Sequence, residues 1–291
     1  EVPLPTPSAK LAKQIAPLRG GEANAESGLL AYEHFAVVMN RSKRLAMFTA
    51  TNIDGPTYLA VDRATGQVGG AEGDKWFIDP RISETFTTGQ DFYSEWSSYF
   101  DRGHLTRRTD PTWGTEEEAE RANADTFHFT NCSPQHFRFN QTTKYWQGVE
   151  RYVLENGLFA NDASKRLVVL QGPIFDSKID LYADDLQIPS SFFKIVLWNG
   201  QGNKLRAVGL VVDQLALLSE SRKNLGQPRD VASVDVSQWR VAISTIERRT
   251  GLSFGSNVLA ADTISQITQP DVGGEAAVRI ASFEAFGDLK R

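Results

Sequence analysis

The sequence predicts one α+β domain. Runs of β-branched and aromatic residues, which are typical of buried strands, are interspersed with segments whose apolar residues have helical spacing. Neither an internal repeat nor a linker-like boundary divides the central part of the 291 residues. With 41% hydrophobic and 23% charged residues, the chain has the composition of a globular protein with a sizeable core.

Three parts are expected along the chain. Residues 1–28 are rich in proline, glycine, alanine and small polar residues, which predicts an extended N-terminal arm or linker. Residues 29–255 are expected to hold the domain, and residues 256–291 a partly helical extension packed on it. No signal peptide or membrane-spanning run is visible, so no membrane partner is expected. The compartment stays open between a bacterial cytoplasm and delivery as a domain of a longer protein.

The individual elements follow from local pattern. Strands are predicted where β-branched and aromatic residues are dense, at residues 34–39, 45–50, 167–170, 192–198 and 207–212. Helices are predicted at 138–156, ended by Gly157, and at 237–249, with Ser237 as N-cap and Gly251 at the end. Residues 70–100 lack periodicity, which predicts a long loop.

The charge pattern leaves nucleic-acid binding open. The net charge of −5 argues mildly against a tight binder, but an enzyme that releases its product needs only a local basic groove. Candidates for lining such a groove lie close together in sequence: Arg102, Arg107, Arg108, Arg121, Arg138 and Lys144. The alternative is that several of them pair with the glutamates at 116–118 and 120 on a solvated helix.

The most informative motif is Asp101-Arg102-Gly103-His104. Histidine titrates near neutral pH, so His104 is a candidate general base that takes a proton from water. Arg102 lies two residues earlier, so on a strand both side chains project to the same face and the guanidinium can clamp a phosphate. The alternatives are a structural histidine at a strand end and an arginine paired with Asp101 or another carboxylate.

Oxygen-bearing residues after the motif indicate a hard metal ion such as Mg²⁺. Asn140 can offer its amide carbonyl as a direct ligand, and Glu150 can hold a metal-bound water. The alternatives are a helix cap and a solvent-exposed glutamate. The single cysteine, Cys132, excludes a cysteine-based zinc site. Asn131 and Gln135 bracket a tight turn, and they either orient the base, touch the phosphate or stabilise the turn.

Residues 99–155, with this motif and the later Asn140 and Glu150, resemble the DNA/RNA non-specific endonuclease family of the ββα-metal superfamily. The resemblance implies a central, mainly antiparallel sheet flanked by helices. It also implies His104 as general base, Arg102 on the phosphate, Asn140 as direct Mg²⁺ ligand and Glu150 bound through water. Mn²⁺ or another divalent ion is expected to substitute.

One departure from the family pattern concerns a second arginine, which members often carry in an upstream segment that ends in an Asp-Pro-like pair. The corresponding stretch here, residues 72–81, has no clean match. Lys75 or Arg81 is a candidate substitute, and a lysine would lose the bidentate geometry of a guanidinium.

The resulting hypothesis is an endonuclease that hydrolyses DNA and RNA without sugar specificity. Arg102, Arg107, Arg108, Lys144 and Gln135 are the candidate substrate-binding residues. Low sequence specificity is expected because the motif addresses phosphates rather than base edges. The rival hypothesis is a non-catalytic nucleic-acid-binding module that keeps the nuclease fold. A homodimer and an inhibitor or immunity protein are the further partners left open.

Overall fold

A computed structural model describes residues 2–62, 75–141, 166–218, 238–266 and 277–279. The strands of these ranges are β1 (Thr6–Pro7), β2 (Leu29–Tyr32), β3 (Phe35–Asn40), β4 (Leu45–Asp54), β5 (Phe100–His104), β6 (Cys132–His136), β7 (Arg166–Ile174), β8 (Leu181–Ala183), β9 (Leu186–Ile188), β10 (Ser191–Asn199), β11 (Leu205–Asp213), β12 (Gln238–Val241), β13 (Leu252–Ser253) and β14 (Ala277–Arg279). The helices bounded within them are α1 (Ala9–Ala12), α2 (Gln90–Glu95), α3 (Glu116–Asp125), α4 (Phe137–Gln141), α5 (Ile243–Thr250) and α6 (Ser256–Ala260). Short 3₁₀ turns occur at Gly55–Thr57, Glu84–Phe86, Phe129–Asn131, Gln201–Asn203 and Thr263–Gln266.

The centre of the fold is a sheet that contains eight strands within the described ranges, in the order β14-β12-β11-β10-β7-β4-β3-β2. Every neighbouring pair is antiparallel. The expected α+β fold with a mainly antiparallel central sheet is confirmed. The strand pair 34–39 and 45–50 and the three later strands are confirmed as β3, β4, β7, β10 and β11.

The sheet buries apolar side chains on both faces. Because side chains alternate along a strand, Val169 of β7 packs in one apolar cluster and Leu170 in the other. Helix α5 covers the second face with Ile243 and Ile246. On the first face lie Leu105, which follows β5, and Phe139 of α4. This packing seats the strand pair β5–β6 and helix α4 on the first face of the sheet.

Two local predictions differ from the structure. The helix expected at 237–249 is a strand, β12, over its first part, and helix α5 begins only at Ile243. Pairing of β12 with β11, through Val241 opposite Gly209, overrides the helical spacing of the apolar residues. Gly251, with a φ of 74°, ends α5 in the left-handed conformation as predicted. The expected loop at 70–100 contains helix α2, whose Tyr93 is buried.

The ends of the chain are packed in the parts that the structure describes. Strand β1 pairs with β13, and Ala16 and Leu18 are buried, so this segment is docked on the domain where composition predicts an arm. Val258 of α6 packs in the second apolar cluster. The predicted helix at 138–156 is described only at its start, in α4; residues 142–156 lie outside the described ranges. No described helix combines the length and apolar character needed to cross a bilayer.

Candidate active site

The motif residues lie on a two-stranded antiparallel ladder that leads directly into a helix. In the ladder of β5 and β6, Asp101 lies opposite Gln135 and His104 opposite Cys132. Helix α4 starts at Phe137, immediately after β6. Beyond the ladder, the backbone N–H of Leu105 donates to the carbonyl of Asn131 at 3.0 Å. The candidate site therefore has a strand–strand–helix arrangement, with α3 in the connection between the strands.

Arg102 and His104 share one side of β5, as their two-residue spacing predicts. The same indole ring, that of Trp76, contacts both: its centroid is 4.7 Å from the His104 ring and 5.8 Å from the guanidinium carbon of Arg102. Phe127 packs its ring edge-on against His104 at 4.9 Å. These rings fix the directions of the two side chains that are the candidate base and phosphate ligand.

Arg102 keeps its positive charge uncompensated within the described part of the chain. Its Nη1 donates to the amide oxygen of Gln90, the first residue of α2, at 2.7 Å. No ion pair joins Arg102 to a carboxylate among the described residues. The alternative interpretation, a salt bridge with Asp101, is therefore absent there.

Asp101 is occupied by two amides of helix α4. Its Oδ2 accepts hydrogen bonds from Asn140 Nδ2 at 3.0 Å and from Gln141 Nε2 at 2.8 Å. Because the amide nitrogen of Asn140 is bound in this way, the carbonyl oxygen remains as the group that can face an ion. The first motif residue thus ties the candidate metal ligand to the strand that carries Arg102 and His104.

Asn140 offers a neutral amide oxygen, a kind of ligand that hard metal ions accept. Within the described ranges, no group of three or more His, Cys, Asp or Glu residues is close enough to hold an ion. A hard ion that keeps most of its waters needs only one neutral oxygen ligand from the protein, which Asn140 can provide. Glu150, the expected outer-sphere partner, and Lys144 lie outside the described residues.

Gly103 is required by the packing of its neighbour. A Cβ at this position would collide with the side-chain amide of Gln135. Gln135 is fully buried, and its two amide atoms have no hydrogen-bond partner among the described residues. The side chain predicted to touch substrate thus lies under β5, because the ladder directs it inwards. In this structure it supports the strand and does not reach the surface.

Asn131 is likewise a buried residue of the framework. Its Oδ1 accepts from the backbone N–H of Thr106 at 2.8 Å, and its Nδ2 donates to the carbonyls of Thr106 and Thr126, both at 2.9 Å. With both amide hydrogens bound, no donor remains for a phosphate. Of the roles left open by the sequence, the geometry fits positioning of the segment after His104.

The other candidate groove arginines are held in the fold. Arg108 donates through Nη1 to the carbonyl of Val61 at 3.0 Å and to Asn123 at 3.2 Å. Arg107 is half-buried, and its charge, together with that of Lys194, partly offsets the burial that raises the pKa of Asp110. The hydrogen bonds of Arg108 turn its side chain inwards, and Nη1 of Arg107 is buried, while the role of both residues in substrate binding stays a prediction.

Two further groove candidates make surface contacts. Arg121 pairs with Glu33 at 2.7 Å, not with the neighbouring glutamates of its own helix. The guanidinium carbon of Arg138 lies 5.6 Å from the ring centroid of Phe137.

Arg81 and Lys75, the two candidates for the second substrate-binding cation, differ in whether a carboxylate of the described ranges binds the charged group. Arg81 grips the buried Asp79 with Nε at 3.0 Å and Nη2 at 2.7 Å, and its Nη1 donates to the carbonyl of Ala31 at 2.7 Å. Lys75 is exposed, and its Nζ lies 5.6 Å from the ring centroid of Phe77. The structure therefore favours Lys75 as the cation that faces solvent beside Trp76.

Three contributors to the site escaped the sequence analysis. Asp101 stood in the motif, but nothing local indicates that it binds the amides of α4. Trp76 and Gln90 come from distant segments without a motif of their own, so only the fold reveals them.

Two strands followed by a helix, with this motif on the first strand, define the class of ββα-metal nucleases. The chain belongs to the DNA/RNA non-specific endonuclease family, whose model matches residues 19–261. It is 33% identical over 271 residues to the uncharacterized protein y4fB of Sinorhizobium fredii, covering 91% of this chain and 39% of that protein. Human mitochondrial endonuclease G is 26% identical over 183 residues, 59% of this chain and 54% of that protein.

A solved structure shares the fold. A chain in the crystal structure of the EndoG/EndoGI complex superposes with a TM-score of 0.55 at 17% identity, covering 78% of this chain and 85% of that chain. The chain spans 39% and 54% of the lengths of the two curated relatives above. The expected family and fold are thereby confirmed.

Proposed function

We propose that the chain is a metal-dependent endonuclease that hydrolyses phosphodiester bonds of DNA and RNA without sugar specificity. Family membership supports the reaction class. The observation that carries the proposal is the placement of His104 and Arg102 against one indole ring, on the strand whose Asp101 holds the amide of Asn140.

His104 is the proposed general base. A phosphodiester resists attack by water because its negative charge repels the nucleophile, so a base must remove a proton as the bond forms. An imidazole is suited to this at neutral pH. Arg102 would donate two N–H groups to the non-bridging phosphate oxygens and stabilise the charge that develops on them. Gln90 would hold the guanidinium in place without cancelling its charge.

Asn140 is the proposed direct ligand of Mg²⁺, with Glu150 bound through a water. The ion, or Mn²⁺ in its place, would supply positive charge beside the scissile phosphate. Asp101 would keep the Asn140 carbonyl pointed at the ion by holding its amide nitrogen. Asn131 would position the segment after His104. Lys75 is the proposed second cation for the substrate backbone.

Partners beyond the substrate remain proposals. The structural neighbour is described in a complex that inhibits EndoG, which supports a protein inhibitor or immunity protein as a partner of this chain. Homodimer formation stays a prediction. Low sequence specificity is proposed because Arg102 and Lys75 address phosphates, which are the same at every nucleotide.

The test is digestion of supercoiled plasmid and of RNA, in Mg²⁺ and in EDTA. His104→Ala is expected to lower the rate by at least about 10²-fold, because it removes the base. His34→Gln, at the turn between β2 and β3, is the matched control and should cut like wild type. If folded wild type leaves both substrates intact and instead forms a stable complex in a gel shift with Mg²⁺, the binding-module hypothesis replaces this proposal.

A further inference from the structure

An exposed aromatic ring directly follows Trp76, the residue that packs against His104 and Arg102, on a backbone that hydrogen bonds hold in place. Phe77 donates its backbone N–H to the carbonyl of Phe127 at 2.9 Å, and its own carbonyl accepts from Phe129 at 2.9 Å. The ring is nevertheless 41% exposed, and that of the next residue, Ile78, is 47% exposed. Two adjacent apolar side chains are thus exposed to solvent on a segment whose backbone is fixed by hydrogen bonds.

The same segment connects this ring to the catalytic residues. Trp76 points inwards, where it contacts His104 and Arg102, and the next residue along the chain, Phe77, points outwards. The indole of Trp76 packs against Phe127 and Phe129 and is half-buried, so the ring of Phe77 is the more accessible of the two.

The surroundings of the ring are cationic and aromatic. Lys75 Nζ lies 5.6 Å from the Phe77 centroid, and the ring of His128 lies 6.0 Å away. Among the described residues Lys75 forms no ion pair. An exposed ring beside a lysine without an ion pair among the described residues matches the chemistry with which proteins bind unpaired nucleic-acid strands, since bases stack on rings and cations contact the phosphates.

We propose that Phe77 and Lys75 form a stacking subsite for an unpaired nucleobase of the substrate strand, next to the scissile phosphate. The inference rests on the proposed nuclease function and adds a substrate preference to it. The face of a base is free to stack on Phe77 only when the base is unpaired or frayed. In a duplex, neighbouring base pairs already occupy that face, so the site prefers single strands and loops.

Selectivity for a nucleic-acid strand, and not for an apolar protein surface, follows from charge and position. The ring lies beside Lys75, so an occupant of the ring must also accommodate this cation. A nucleic-acid strand offers a base for the ring and a phosphate for the lysine, whereas an apolar partner would desolvate the lysine without pairing it.

The test compares Phe77→Ala and Phe77→Leu with wild type on a single-stranded oligonucleotide and on the same sequence as a duplex. Phe77→Leu keeps an apolar side chain and removes the π face. It therefore tests base stacking even if the alanine variant folds poorly. On the single strand kcat/KM is expected to fall about 5- to 150-fold, the equivalent of losing one stacked base. Duplex cutting should stay near the wild-type rate, and Phe77→Trp should restore single-strand cutting. Tyr182→Ala, which removes a ring that is 39% exposed on β8, is the matched control.

A second measurement does not depend on cleavage: binding of the single strand in EDTA, measured by fluorescence anisotropy. There Phe77→Leu should weaken binding at every salt concentration, and Lys75→Ala should reduce the slope of log affinity against log salt by about 0.7. Equal losses on single strand and duplex, or unchanged binding in EDTA, would overturn the subsite. Failure of the nuclease proposal looks different, because wild type would then cut neither substrate, while the EDTA measurement would still report on Phe77.

Discussion

Arg102 and Arg81 both lie over an aromatic ring but bind different partners. Each guanidinium lies over an aromatic ring, Arg102 at 5.8 Å from Trp76 and Arg81 at 4.6 Å from Tyr32. The difference is the hydrogen-bond partner. Arg102 donates to a neutral amide, whereas Arg81 grips the carboxylate of Asp79 at two points. A neutral partner orients a guanidinium and leaves its charge for a substrate, whereas a carboxylate neutralises it within the fold.

The electrostatics agree with this distinction. Hydrogen bonds to Asp79 raise the pKa of Arg81, so the pair is ionised and internally neutral. Asp101, the carboxylate next to Arg102 in sequence, is occupied by the amides of Asn140 and Gln141. The fold thus binds the carboxylate that neighbours Arg102 in sequence to helix α4, and not to the arginine that is proposed to bind phosphate.

The largest expected effect is a loss of kcat on substitution of Arg102 that substitution of Arg81 does not cause. Arg102→Lys keeps the charge and loses the planar fork, and kcat on plasmid DNA is expected to fall about 10²- to 10³-fold, as for loss of a donor to a developing charge. Arg81→Lys is the matched control and should change kcat only a few-fold while it lowers the melting temperature. Similar losses of kcat in both variants would contradict the distinction.

Asp101→Asn tests whether this carboxylate orients the proposed metal ligand. The substitution replaces the carboxylate by a neutral amide whose oxygen accepts weaker hydrogen bonds from Asn140 and Gln141, so the Asn140 carbonyl is held less firmly. The Mg²⁺ concentration for half-maximal activity is expected to rise about 10- to 100-fold, the usual cost of losing an outer-shell partner of a metal site. Saturating Mg²⁺ should recover much of kcat. Asp184→Asn, at an exposed carboxylate that accepts from Trp96 at 2.8 Å, serves as control.

A different result would reassign Asp101. If Asp101→Asn lowered kcat without moving the Mg²⁺ dependence, the carboxylate would act on the chemistry or on Arg102, and not on the orientation of Asn140.

Much of this site was accessible from the sequence because it is local. The motif and the strand pattern predicted where Arg102 and His104 lie and that they share a face, since alternation along a strand depends only on spacing. The strands of the central sheet were predicted from their dense β-branched and aromatic residues, and the antiparallel sheet itself was implied by the family resemblance. Family resemblance supplied Asn140 and Glu150, and the latter lies outside the described residues.

What the sequence could not supply depends on tertiary contacts. Nothing local shows that Gln135 is buried under Gly103 or that Arg81 finds a carboxylate two residues away in a bidentate geometry. Trp76 is contiguous with Lys75 in sequence, yet its contacts with β5 exist only because residues 75–78 pack beside residues 127–129. The strand at β12 was mistaken for a helix because sheet pairing outweighed helical periodicity.

The smallest expected effect concerns the ion pair between Asp79 and Arg81. Burial alone would raise the pKa of Asp79, but hydrogen bonds from Arg81 and Tyr32 outweigh it and hold the pKa below its usual value. Because the pKa of the folded state lies below that of the unfolded state, this stabilisation is present above the unfolded pKa and is lost as pH falls through the folded pKa.

Asp79→Asn should therefore remove on the order of 1 kcal/mol of unfolding free energy at neutral pH, a small value because Arg81 is partly exposed and asparagine still accepts a hydrogen bond. Urea denaturation of wild type and variant at a series of pH values checks this. The two stability curves should converge in acid, once the pH has fallen through the lowered folded-state pKa of Asp79 and the wild-type carboxyl is protonated. Curves that stay parallel from neutral to acid pH would mean that the charge of Asp79 contributes nothing to stability. The ion pair with Asp79 would then not distinguish Arg81 from Arg102.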